Sequence, residues 1–224
     1  MRSSFRRFVF GAAFVLSAVA GCASPSDDGE DDVGQGTAQA VSTTDGFVYF
    51  HGMSHLGFSR DALRAGLGTT QTFLAPSLSD AQIQDVVGNN VIDFLGARHE
   101  AVAAGYSLGR IPVLRLMAAN AEGMTRAVLV DPTYDGSHAL GFGVGGGIAK
   151  TWLDGDPGRT LLLVYGDVTR SLGGEKSYVN ALSGHERASL CYVRGDHERF
   201  RQPDMVAALV AKDCADLTSR LAVH

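Results

Sequence analysis

The sequence has few positive charges. It contains 19 Lys and Arg residues against 24 Asp and Glu residues, a formal net charge of -5 with histidine neutral. Three of the basic residues, Arg2, Arg6 and Arg7, lie in the first 21 positions, which hold no acidic residue. The rest of the chain therefore carries 16 basic against 24 acidic residues, a net charge of -8. This charge argues against nucleic acid as a partner.

The sequence also lacks an apolar run that is long enough for a confident membrane span. Residues 8–20 are apolar, follow the arginines and end in small residues, which is typical of a secretory signal. Val19-Ala20-Gly21-Cys22 then resembles a bacterial lipobox, in which the cysteine carries the lipid (palmitate) and becomes the mature N-terminus. The alternative is an ordinary signal peptide with a chance cysteine. We expect a lipid-anchored protein of the bacterial cell envelope, or a secreted one.

Residues 23–44 lack any apolar periodicity. They are rich in Ser, Asp, Glu, Gly, Gln and Thr, so they have no face to bury and should form a disordered acidic tether. The sequence thus predicts a signal peptide at 1–21, a lipidated cysteine and tether at 22–45, and a folded domain at 46–224.

Cysteines are scarce, with three in the chain. If Cys22 carries a lipid, Cys191 and Cys214 remain as an even pair, which an exported protein can join in a disulfide. The alternative is two buried free thiols, because spacing alone does not fix the geometry.

Signals for a metal or a cofactor are weak. His51 and His55 are four residues apart, but they follow a strand-like run and have no evident third ligand, so we expect no metal. Residues 141–146 contain Gly-x-Gly-x-x-Gly, but no strand directly precedes them. We expect a flexible loop there and no dinucleotide cofactor.

From Gly46 onward, short β-branched or aromatic runs alternate with longer runs of helical periodicity. This alternation is typical of βαβ units and a parallel sheet. It predicts an α/β fold in which a doubly wound, mostly parallel sheet of about six strands carries helices on both faces. The expected strands are residues 47–50, 71–75, 102–106, 127–130, 161–165 and 189–193. The expected helices include residues 148–153 and one closing helix from Pro203 to beyond Leu217.

The third predicted strand runs into Gly105-Tyr106-Ser107-Leu108-Gly109, and a helical run follows it. A strand, Gly-x-Ser-x-Gly and a helix form the nucleophile elbow, in which the residues two before and two after the serine must be small. On this pattern the chain resembles the α/β-hydrolase superfamily, in its minimal form without a lid domain.

The resemblance implies a catalytic triad in the order Ser, acid, His. Ser107 would be the nucleophile, Asp167 the acid and His197 the base, since each follows a predicted strand in the expected order. Asp131 also ends a strand and is the alternative acid; Asp196 is a weaker one, because adjacent residues rarely face each other. The oxyanion hole would be the backbone N–H groups of Leu108 and of Met53, which follows His51-Gly52.

The sequence therefore predicts a serine hydrolase that cleaves a small or lipid-like carboxylic ester through an acyl-enzyme, without a cofactor. The chain lacks the HGGG run of the lipase and esterase branch, so the assignment stays at superfamily level. Two alternatives stay open. One is a non-catalytic envelope lipoprotein with a hydrolase-like fold, and the other is an acyltransferase that uses the same triad.

Overall fold

The computed structural model describes residues 46–52, 57–67, 73–74, 89–132, 144–168 and 175–221. The predictions for the signal peptide, Cys22, the tether and Met53 lie outside these residues, as do residues 141–143 of the glycine-rich run.

The described residues form a parallel, six-stranded sheet with the order β2-β1-β3-β4-β5-β6. The strands are β1 (Gly46–Phe50), β2 (Phe73–Leu74), β3 (Ala101–Tyr106), β4 (Met124–Val130), β5 (Thr160–Gly166) and β6 (Ala188–Val193). The chain adds β2 on one side of β1 and all later strands on the other. This reversal is the doubly wound arrangement, and it places a crevice at the carboxyl ends of β1 and β3.

Helices cover both faces of the sheet, because alternate strand residues point to opposite sides. Ala127 and Leu129 of β4 belong to one buried cluster, whereas Val128 and Val130 belong to the other. The helices are α1 (Arg60–Leu67), α2 (Asn89–Gly96), α3 (Arg110–Ala118), α4 (Val144–Asp154), α5 (Lys176–Leu182), α6 (Ala207–Val210) and α7 (Cys214–Leu221). Helices α2 to α5 pack on the first face, and α1, α6 and α7 pack on the second. The predicted fold class is therefore confirmed.

The expected single closing helix is wrong. A 3-10 turn (Pro203–Val206) runs into α6, the backbone becomes extended at Ala211, and α7 starts afresh at Cys214. Asp213 caps this new start, and Asp216 accepts from the residue before the cap. The Asp216 N–H donates to Asp213 Oδ1 over 2.8 Å, and the Lys212 N–H donates to Asp216 Oδ2 over 2.7 Å. These bonds satisfy amide groups that the break would leave without partners.

The glycine-rich run is not entirely a loop, because Gly145 and Gly146 lie in the first turn of α4. A Cβ on Gly146 would come closer than 3.0 Å to the backbone oxygen of Ser177. The glycines therefore allow α4 to pack directly on α5, and this tertiary contact outweighs their low helix propensity.

Cys191 of β6 and Cys214 of α7 form a disulfide, with a Cα–Cα distance of 5.3 Å. The bond ties the last helix to the edge strand of the sheet. None of the helices in the described ranges is both long and apolar enough to cross a membrane.

Candidate active site

Ser107 lies in a sharp turn at the carboxyl end of β3. Its φ of 55° is in the left-handed region that residues with a Cβ rarely adopt, and the residue is 6% exposed. Ser107 opens a 3-10 turn (Ser107–Gly109) that leads directly into α3. A strand, a strained serine and a helix thus follow each other as the sequence predicts for an elbow.

The two glycines of the elbow are required by close backbone contacts. A Cβ on Gly105 would lie less than 3.0 Å from backbone atoms of Gly109, so the strand and the turn that follows it touch. A Cβ on Gly109 would lie equally close to the backbone oxygens of Phe50 and His51 at the end of β1. Both positions therefore exclude any side chain.

Asp131 follows β4, the strand next to β3, and is completely buried. Its φ of 41° again lies in the left-handed region. Its N–H donates to the Val164 oxygen over 2.6 Å, and its Oδ1 accepts from the Gly166 N–H over 3.0 Å. Both bonds reach β5, so the carboxylate is held at the carboxyl edge of the sheet.

His197 is the first residue of a 3-10 turn (His197–Arg201) that follows β6. Asp196 caps this turn by accepting from the N–H groups of Glu198 and Arg199. The imidazole Nδ1 of His197 contacts Asp131 Oδ2, and the imidazole is 34% exposed. The side chains of Asp131 and His197 therefore meet although they are 66 residues apart in the chain.

The structure places Asp167 elsewhere. This residue is exposed, and its Oδ1 accepts a hydrogen bond from the Gly195 N–H over 2.9 Å. It fixes the loop before His197 and does not hold the imidazole. In the structure His197 therefore contacts Asp131, the alternative acid predicted from the sequence, whereas Asp167 binds the backbone of Gly195.

Tyr106 is a site residue that the sequence reasoning missed. Its ring stacks on the His197 imidazole, with centroids 4.8 Å apart and planes inclined by 22°. Its hydroxyl donates to the His197 backbone oxygen over 2.8 Å. The only sequence signal was an aromatic residue immediately before the serine.

Of the two predicted oxyanion-hole donors, the structure describes Leu108 but not Met53. Leu108 lies in the buried 3-10 turn after Ser107, and Met53 lies outside the described residues. His51, two residues before Met53, donates from Nδ1 to the Gly52 oxygen over 2.6 Å. The close approach of Gly109 to Phe50 and His51 brings these two backbone segments together. Among the described residues there is no group of three or more His, Cys, Asp or Glu side chains that could hold a metal ion.

No protein-family model and no curated protein matches the sequence. Solved structures do match. The thioesterase domain from the curacin biosynthetic pathway has a TM-score of 0.54 and 13% identity, over 75% of this chain and 90% of that chain. A monoacylglycerol lipase from Paleococcus ferrophilus has a TM-score of 0.48 and 13% identity, over 82% and 97% of the two chains. A fluorophosphonate-binding serine hydrolase from Staphylococcus aureus has a TM-score of 0.49 and 10% identity, over 83% and 87%.

At these identities the similarity concerns the fold. Together with the parallel sheet and its two helical layers, it identifies the α/β-hydrolase fold in this chain. The reaction has to be argued from the site, since one fold supports many functions.

Proposed function

We propose that this protein is a serine hydrolase that cleaves a carboxylic ester through an acyl-enzyme. Ser107 is the nucleophile, His197 the general base and Asp131 the acid. The observation that carries the proposal is the contact of the fully buried Asp131 with His197. This contact lies at the carboxyl ends of the strands, where the strained Ser107 also lies. A serine, a histidine and a buried carboxylate at the carboxyl ends of the strands of one sheet are what nucleophilic acyl transfer requires.

In the proposed reaction, His197 Nε2 takes the proton of the Ser107 hydroxyl as Oγ attacks the ester carbonyl carbon. Asp131 accepts from Nδ1–H, which fixes the tautomer that leaves Nε2 free, and stabilises the imidazolium that forms. The backbone N–H groups of Leu108 and Met53 stabilise the tetrahedral oxyanion.

The intermediate then collapses. The bond between the carbonyl carbon and the alcohol oxygen breaks, and the imidazolium gives its proton to the leaving alcohol. A water molecule, deprotonated by the same imidazole, then attacks the carbonyl carbon of the acyl-enzyme. The bond between this carbon and Ser107 Oγ breaks, and the imidazolium returns its proton to Oγ, which releases the acid and the free Ser107 hydroxyl.

Hydrolysis of a short-chain p-nitrophenyl ester tests this function. The wild type should hydrolyse the ester, and Ser107→Ala should lose about 10³-fold or more of kcat, because the nucleophile is gone. Circular dichroism should give the same folded spectrum for both proteins. Equal hydrolysis by both, or none by the wild type over a series of acyl lengths, would contradict the proposal.

We also propose that the chain is exported and anchored by a lipid on Cys22, and that its substrate is a small or lipid-like ester. The apolar leader and the Cys22 context support the anchor. The crevice at the carboxyl edge of the sheet supports a small-molecule substrate.

A further inference from the structure

Two contacts join the Tyr106 side chain to His197, and they act on different parts of the histidine. The ring stack restrains the imidazole, and the hydroxyl hydrogen bond restrains the main chain of the same residue. A single side chain therefore holds both the ring and its point of attachment.

Tyr106 is itself held firmly. It ends β3 with extended backbone angles (φ -103°, ψ 134°) and is 1% exposed. The rings of Phe58 and Phe200 pack around it, each with its centroid 6.5 Å away. Because the next residue is Ser107, the peptide bond carries this rigidity directly to the nucleophile.

We propose that Tyr106 is a positioning residue that sets the alignment of His197 with Ser107. Tyr106 is bonded covalently to Ser107 and is stacked on His197, so one rigid residue connects the nucleophile with the base. The catalytic consequence rests on the proposed function, whereas the restraint on the imidazole does not.

The contact with Asp131 does not fix the imidazole by itself. It holds one ring nitrogen but permits rotation of the imidazole about the line between His197 Nδ1 and Asp131 Oδ2. The His197 side chain is 34% exposed and belongs to the turn after the edge strand, so it is less enclosed than Ser107, which is 6% exposed. A misplacement of about 1 Å can cost about 100-fold in rate, so an unrestrained ring would be a poor base.

The stack also suits the chemistry. An aromatic face attracts a cation, so Tyr106 stabilises the imidazolium that forms when Ser107 loses its proton. Burial raises the pKa of the Tyr106 hydroxyl well above its ordinary value, and nearby Glu198 and Asp131 act in the same direction. The hydroxyl therefore stays protonated at neutral and mildly alkaline pH and keeps its bond to the His197 oxygen.

Two variants separate these contacts. Tyr106→Phe keeps the stack and removes the hydrogen bond, so kcat should fall about fivefold, as for one neutral hydrogen bond. Tyr106→Leu removes both contacts, so kcat should fall about 100-fold. KM should stay within about twofold of the wild type in both, because uniform substrate binding is untouched. Phe58→Leu is the matched control, since it loosens the same cluster, lies outside the turn that carries His197 and makes no ring contact with it, and its kcat should stay within about threefold.

A Tyr106→Leu protein with the kcat of the wild type, or with no greater loss than Phe58→Leu, would overturn the inference. If Tyr106→Leu does not fold, Tyr106→Phe decides: an unchanged kcat refutes the role of the main-chain hydrogen bond. Absent hydrolysis by the wild type would instead refute the proposed function.

A measurement that needs no catalysis tests the positioning role of Tyr106 separately from the proposed hydrolase function. In Ser107→Ala protein with ¹⁵N-labelled histidine, the His197 imidazole should give one set of ring signals with the proton on Nδ1. Adding Tyr106→Leu should broaden these signals or add a second set, because the ring samples further orientations. One sharp set of signals in both proteins, merely shifted by the loss of the Tyr106 ring, would refute the positioning role whatever the activity of the enzyme.

Discussion

At the scale of single residues, the site depends on where the backbone turns after two neighbouring strands. Asp131 follows β4 and Asp167 follows β5, and both are carboxylates at the same edge of the sheet. Asp131 has a φ of 41° and is buried, whereas Asp167 is exposed and binds the Gly195 N–H. The sequence located both strand ends but could not separate the two acids, because a local pattern does not reveal which way the chain turns.

The acid is tested by a pair of isosteric variants. Asp131→Asn should lower kcat for ester hydrolysis by about 10⁴-fold, because an amide no longer stabilises the imidazolium and favours the wrong tautomer. Asp167→Asn should stay within about threefold of the wild type, because the amide oxygen can still accept from Gly195. Steady-state kinetics of the two proteins compare the roles directly, and the reverse order of losses would reinstate Asp167.

At the scale of elements, the nucleophile elbow was predicted, whereas the break in the closing helix and the helical glycines of α4 were not. The elbow was readable, because two glycines flank the serine within five residues, and close backbone contacts require both. The broken closing helix was missed, although Asp213-Cys214-Ala215-Asp216 carries a capping pattern that marks a new helix start. The helical glycines of α4 were missed because the contact with α5 that stabilises them lies about 30 residues away in the chain.

Alanine at Gly109 of the elbow and alanine at Gly147 of α4 should change the free energy of unfolding in opposite directions. Gly109→Ala should lower the free energy of unfolding by about 2 kcal/mol or more, since a Cβ would overlap the backbone oxygen of Phe50. Gly147→Ala is the matched control, because it lies in α4 and a Cβ there would meet no atom within 4 Å apart from its chain neighbours and the backbone of its own helix. The free energy of unfolding of Gly147→Ala should rise by about 0.5 to 1 kcal/mol, because alanine has the higher helix propensity. Urea unfolding measures both, and equal stabilities would refute the close contact.

At the scale of the whole molecule, the parallel topology orients the protein. Every strand of the sheet runs the same way, so Ser107, Asp131 and His197 gather at the carboxyl edge, while the described chain enters at Gly46 on the opposite edge. The fold class was predictable, because the alternation of short strand-like and longer helical runs extends over the whole domain. The substrate was not, because specificity depends on loops that the pattern leaves open.

The proposed lipid anchor predicts where the full-length protein is found in a bacterial host. The wild type should sediment with membranes, and Cys22→Ser should not, because the modified thiol is gone. The ester-hydrolysis rate per molecule should be the same in both, since the described domain begins at Gly46. If Cys22→Ser sediments as the wild type does, the anchor proposal fails.

The central claim is that Ser107 is a nucleophile activated by His197 and Asp131. Intact mass spectrometry after treatment with a fluorophosphonate tests it most directly, because the reagent phosphonylates an activated serine and needs no knowledge of the substrate. We predict one adduct per wild-type chain, located on the Ser107 peptide, none on Ser107→Ala, and slow labelling of Asp131→Asn. An unlabelled wild type, or an adduct that survives in Ser107→Ala, would contradict the account.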